Sequence, residues 1–248
     1  MLGYYYNGDR PLPSIRYMNA RSKEYKLNLD ARQIPDAVGC IFHSLLLHRC
    51  TGKFNYNTET NFSIGSIGVK EEECSFIDLS YVRVNSDDLA ARVAEEVRAF
   101  EQDVSHRRAL IRKDAPCLAR IGLEFSVRKS KGGWKVFASS AEELTPWELW
   151  YLHLTVTTAS DEDELSGLRE TAAEAVSDIV LSICSSINRT QYLPKAPNRV
   201  DINSVFDTRF AEAQPFLFRI MRPQDNAQAS GAGVASTMKK LFRDTLMI

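Results

Sequence analysis

Apolar residues recur along this chain with two distinct periods, and the switches between them mark out its elements. Near the start of the ordered pattern, "EYKLNLD" (24–30) alternates Tyr25, Leu27 and Leu29 with polar residues, the period of a half-buried strand. Pro35 suits the first turn of a helix, and "IPDAVGCIFHSLLLHRC" is apolar on nearly every side, which predicts a helix deep in the core. "TGKFNYNTETN" reads as a loop. Two strand-like runs follow, 62–69 and 75–84, joined by an acidic "KEEE" that reads as the solvated turn of a hairpin. Asp78 falls in the second run, with Arg83 as its expected partner.

Asn85 or Ser86 is placed to cap a helix whose first turn carries Asp87 and Asp88, favourable at the positive end of the helix dipole. Leu89, Val93, Val97, Phe100 and Val104 give that helix one apolar face. A basic connection (105–117) precedes a strand with Ile121, Leu123, Phe125 and Val127 on one side. A second strand returns with Trp150, Leu152, Leu154 and Val156 aligned. From Ser160 to about Arg189 the spacing predicts a helix roughly 45 Å long at about 1.5 Å per residue, with Ser160 and Asp163 at capping-box spacing. Leu165, Leu168, Ala172, Val176, Ile179, Ile183 and Ile187 form its stripe. Val180, Leu181 and Cys184 widen the apolar surface round the side, more than one core face requires, so a second neighbour is expected there.

The last quarter is irregular, with a short strand candidate at 216–221. A helix about 235–248 repeats Met238, Leu241, Phe242 and Thr245 at helical spacing, and residues 1–17 read as a flexible extension without periodicity. The sum is an α+β domain, helices packed on a largely antiparallel sheet.

Composition narrows the function. Lys plus Arg (31) nearly balances Asp plus Glu (32), which argues against a nucleic-acid binder that relies on a strong positive field. The cysteines (Cys40, Cys50, Cys74, Cys117, Cys184) are scattered, without a CxxC pair, so neither zinc nor a disulfide framework is indicated. No secretory signal and no run long enough to span a membrane is read, so a reduced, cytoplasmic setting is expected. No phosphate cradle, GxSxG elbow or HExxH helix occurs, and His43 and His48 lie about 140° apart round one helix, poorly placed to share a metal. The expectation is no catalytic residue, no cofactor and no metal.

One stretch stands apart. "KGGWKVFASS" (131–140) sets Trp134 and Phe137 at the tip between two antiparallel strands, flanked by Arg128, Lys129, Lys131 and Lys135. Composition leaves three readings open: a mini-core under the loop, a protein-binding anchor, or an aromatic-basic tip for an anionic membrane surface.

Several blocks then resemble, in order, the autophagy-related protein 101 family: "LLLHRCTGKFNYNTETNFSIGSIG", "CSFIDLSYVRV", "TPWELW", "NRTQYLPKAP", "SVFDTRF", "QPFLFRI" and "TMKKLFRDTL". The resemblance runs from Met18 to the C-terminus. It implies a HORMA domain over 18–248, with three helices behind an antiparallel sheet and a C-terminal safety-belt region. It also implies a non-enzymatic adaptor in the autophagy-initiation complex that pairs with the HORMA domain of autophagy-related protein 13. Through that partner it connects to the initiating Ser/Thr kinase and its coiled-coil scaffold, and the expected location is the preautophagosomal structure. Phe62, Ile64, Val180, Leu181 and Cys184 are the expected HORMA-partner surface. Trp134 and Phe137 match the family's "WF finger", which recruits downstream factors, although Lys135 and Val136 separate the rings where the better-known finger has one residue. A peptide-capturing adaptor of checkpoint type is the alternative, and membrane contact is secondary.

Overall fold

The computed structural model describes residues 20–112, 115–129, 143–189 and 193–222. Strand β1 (Arg21–Asp30) leads through a 3-10 turn into helix α1 (Ile34–His48), with Pro35 in its first turn as expected. Short strands follow: β2 (Cys50–Thr51), β3 (Phe54–Tyr56), β4 (Phe62–Ile64), β5 (Val69–Glu73) and β6 (Ser80–Val84). Helix α2 (Asp87–Ala109) is followed by the long strands β7 (Cys117–Lys129) and β8 (Glu143–Thr157), then by helix α3 (Glu162–Ser186). A one-turn helix α4 (Ile202–Val205) and strands β9 (Gln214–Pro215) and β10 (Phe218–Met221) complete the described chain.

The main sheet has the order β1-β8-β7-β10, in which β7 is antiparallel to both neighbours and β1 runs parallel to β8. That pairing needs a crossover, and the whole stretch from α1 to β7 supplies it. All three long helices lie on one face. Leu27, Leu29, Ile121, Leu123, Phe125, Trp150, Leu152, Leu154 and Val156 point into it and meet the buried residues of α1, α2 and α3 in one cluster. The class is the mixed α+β one expected, with α4 added to the three helices.

Helix α1 is buried along almost its whole length, from Ile34 to Leu46. It touches α2, α3 and β6, which is why its sequence has no polar stripe. On α2 the buried residues are Leu89, Val93, Val97, Phe100 and Val104, the face predicted by their spacing.

Four expectations are corrected. The acidic run is no turn: Val69–Glu73 is strand β5, paired with β6 so that Glu72 faces Tyr81 and Lys70 faces Arg83. Arg83, itself buried, draws Glu72 to 2.7 Å, and Ser80 donates to Glu71 at 3.0 Å, while Glu71 and Glu73 stay exposed to water. Glycines 65 and 68 split the first run instead, and Phe62–Ile64 turns back on β3, inside the segment expected to be loop. A Cβ on Gly52 would lie 1.9 Å from the Gly65 carbonyl oxygen, so only glycine lets these two backbones approach.

Asp78 does not pair with Arg83. It lies in the turn that Cys74 and Leu79 close, and Arg169 of α3 binds it at 2.8 Å, while Arg83 spends its guanidinium on Glu72 and Asp87. Finally, α3 is capped one residue later than the spacing suggested. Asp161 accepts from the Glu164 N–H at 2.8 Å, and the Glu164 carboxylate accepts from the Ser160 N–H at 2.6 Å. The helix ends at Ser186, about 37 Å at about 1.5 Å per residue.

Candidate functional site

The outward side of α3 is polar over most of its length (Glu170, Glu174, Asp178), but near its C-terminal end it carries apolar residues. Ile179, Ile183 and Ile187 are buried, but Val180 is half-buried, Leu181 is 66% exposed and Cys184 is exposed. No described element covers Leu181. The helix beneath is held firmly: Tyr25 and Ser182 share a hydrogen bond at 3.1 Å, Lys23 donates to the Ser186 hydroxyl at 2.6 Å, and Arg21 donates to the Ser186 carbonyl. The Cys184 thiol and the His48 Nε2 are 3.5 Å apart. Burial, and then the charge of Arg49, keep His48 below the usual histidine range, so its ring is neutral at physiological pH.

Below this strip lies the most deeply buried ion pair among the described residues. Arg49, at the end of α1, meets Glu148 of β8 through Nε at 2.6 Å and Nη2 at 2.9 Å, each side chain 2% exposed. Nη2 also donates to the Ile187 carbonyl at 2.8 Å, and the guanidinium stacks over Trp147. One side chain thus joins the ends of α1 and α3 to the sheet. The residue patterns gave no signal for it, because an arginine after a helix and a glutamate in a strand each read as solvated.

Phe62 and Ile64 lie elsewhere, on the β3–β4 hairpin. Ile64 is 49% exposed, whereas Phe62 packs its ring on Phe54 and Tyr56, and Phe54 in turn packs on Phe206. Of the expected partner residues, therefore, Leu181, Cys184 and Ile64 are open, Val180 is partly so, and Phe62 is engaged within the chain. Trp134 and Phe137 lie outside the described residues, as do 1–17 and 235–248.

Little in the described residues resembles reaction chemistry. Burial pushes the thiols of Cys40, Cys50 and Cys74 up to about 12, so they stay protonated. Among the described residues no group of three or more His, Cys, Asp or Glu is placed to hold a metal ion. A shallow cleft of about 420 Å³ lies between β7 and the α4–β10 region, where Asp207 is bound by Arg209 and Glu124 by Arg219. No described helix is long and apolar enough to cross a membrane.

His43 supplies a test of the core. Its ring stacks on Tyr81, with Arg83 and Glu72 nearby, and burial, then the Arg83 charge, lower its pKa to about 4. The folded-state value lies below the unfolded one. Between about pH 6.5 and 4 the unfolded chain therefore takes up a proton that the folded chain refuses. Stability present above that window should fall by about 2–3 kcal/mol as the pH drops to 4.5. The more weakly perturbed His48 acts in the same sense. Urea titrations at pH 7 and 4.5 should show the loss, and His43→Phe should flatten most of it. An equally steep fall in the variant would assign the dependence to other groups.

These features define an α+β protein of HORMA type whose described residues present open apolar side chains and assemble no reaction site. The family model described as Autophagy-related protein 101 matches residues 26–200. The chain is also similar to proteins named Autophagy-related protein 101 from Bos taurus (35% identical), Homo sapiens (34%) and Xenopus tropicalis (33%). Each match covers 93% of this chain and the whole of the relative. The chain belongs to the Autophagy-related protein 101 family, and its role is in autophagy.

Proposed function

We propose that the protein is a non-enzymatic adaptor of the autophagy-initiation complex. It binds and stabilises the HORMA domain of autophagy-related protein 13 and recruits downstream factors through Trp134 and Phe137. Through its partner it joins the initiating Ser/Thr kinase and the coiled-coil scaffold, and it acts at the preautophagosomal structure. The observation that carries the partner half of this reading is the open strip of α3. Leu181 stands 66% exposed on a helix end that Arg49, Lys23 and Tyr25 fix in place, and a pre-positioned apolar side chain binds with little loss of conformational freedom.

Burial contributes about 25 cal/mol per Å² of apolar area, so pairing should stabilise this chain. The expected result is a higher melting temperature by scanning calorimetry in the presence of a saturating partner HORMA domain. A demonstrably bound partner that leaves the melting point unchanged would remove the stabilising role. Leu181→Asp should weaken pairing at least tenfold in a titration while leaving the free chain's melting point within a degree or two, because the residue touches water already. Unaltered affinity would place the partner surface elsewhere, with Ile64 the next position to change.

A further inference from the structure

Among the described residues only one face of the main sheet carries helices, and the other face is not uniformly open. On it lie Leu149 and Tyr151 of β8, Leu118, Arg120 and Gly122 of β7, and Met221 of β10, since side chains alternate along each strand. Tyr151 faces Gly122 and Gly122 faces Met221 in the register of the ladders. A Cβ on Gly122 would lie 2.7 Å from the Tyr151 ring and 3.1 Å from the Met221 methyl, so these two side chains meet over the glycine. Arg120 lies over one side of the Tyr151 ring. Leu118 shows what this face looks like uncovered, at 72% exposure. Leu149, Tyr151 and Met221, by contrast, are at 3%, 5% and 6%, and Ala20 is the one other apolar residue among the described ones that packs on them.

An apolar cluster buried to that extent on a face where no described helix lies needs a cover. We propose that the cover is this chain's own C-terminal segment, residues 235–248, docked by its apolar side over Leu149, Tyr151 and Met221. The chain reaches that face through β10, whose last residue, Met221, belongs to the cluster. The segment that follows ends in "STMKKLFRDTLMI", where Met238, Leu241 and Phe242 recur at steps of three and one, the spacing of one helical face. The other terminus reaches the cluster through Ala20, but residues 1–17 carry prolines and an Asn-Gly step without apolar periodicity.

Hydroxyl-radical footprinting of Tyr151 and Met221 tests this on three chains: full length, ending at residue 230, and lacking residues 1–17. Ending the chain at 230 should raise modification of both residues several-fold, with Trp150 on the core side still protected, and removing 1–17 should leave both near the full-length level. Should the shortened chain lose its fold, judged by circular dichroism and by Trp150, the full-length Leu241→Asp, Phe242→Asp variant decides by the same readout. Unchanged protection of Tyr151 and Met221 after either C-terminal change would overturn the proposal. So would a rise confined to the chain without residues 1–17, which would give the site to the N-terminal arm.

Discussion

Glu148→Ala should cost about 3–5 kcal/mol of folding stability, the usual penalty for breaking a buried ion pair by removing one partner. The variant leaves the Arg49 guanidinium at the junction of α1, β8 and α3 with only the His48 and Ile187 carbonyls to accept its protons. Arg21 lies 4.0 Å from Glu148 in the wild type, so the variant also removes a carboxylate from beside that charge. Domains of this size are stable by only about 5–15 kcal/mol, so the variant should unfold at a visibly lower urea midpoint. The pair itself is a different matter. Attraction between buried charges is largely offset by their desolvation, so Arg49→Met with Glu148→Leu should recover most of the loss. A double-mutant cycle in urea separates the two effects. A single variant that loses less than about 1 kcal/mol would show that water reaches the pair. The consequence reaches function through geometry. Arg49 holds the Ile187 carbonyl three residues beyond Cys184, so loosening it should blur the strip that carries Leu181 and weaken partner binding along with stability.

The elements with strict periodicity were legible in the sequence because their surroundings are simple. The residues of α2 from Leu89 to Val104 face one core and nothing else, and β1 has one wet side. Where two forces compete, the pattern misleads. "VKEEE" looks like solvent-facing turn because it has no apolar face, yet Arg83 meets Glu72 and Ser80 meets Glu71 across the ladder, and backbone pairing makes it a strand. The parallel pairing of β1 with β8 leaves no trace in either strand, since alternation fixes which side chains point inward and not which strand lies alongside. Among site residues, the width of the apolar surface on α3 did pick out Leu181 and Cys184 as open. Phe62 was placed on the expected partner surface as part of the 62–69 strand, but its ring belongs to the Phe54–Tyr56 cluster. Hydrophobicity identifies surface that is to be covered, and only packing tells whether the chain covers it itself.

A Trp134→Ala, Phe137→Ala double variant should fold normally and fail in recruitment. Both residues lie in the connection between β7 and β8, strands that pair as far as Lys129 and Glu143. The sheet beneath is complete without them: Ile121, Leu123 and Phe125 are fully buried against α1 and its neighbours. In the sequence, Gly132 and Gly133 and the charged Lys131 and Lys135 surround the two rings without a regular apolar pattern for them to join. Burying a Phe-sized side chain contributes roughly 1.5–3 kcal/mol, and truncating a hot-spot residue costs about 2 kcal/mol or more. Losing two should therefore weaken a recruited factor's affinity by roughly a hundredfold or more. Four assays separate the competing roles. If the rings form a mini-core under their own loop, the melting temperature of the variant falls by many degrees. If they enter an anionic membrane surface, liposome flotation is lost while protein binding survives. If they recruit a protein, melting temperature, flotation and binding to the autophagy-related protein 13 HORMA domain all stay at wild-type values and autophagosome formation fails. The last combination is the expected one, and normal autophagosome formation with both rings removed would falsify the recruiting role.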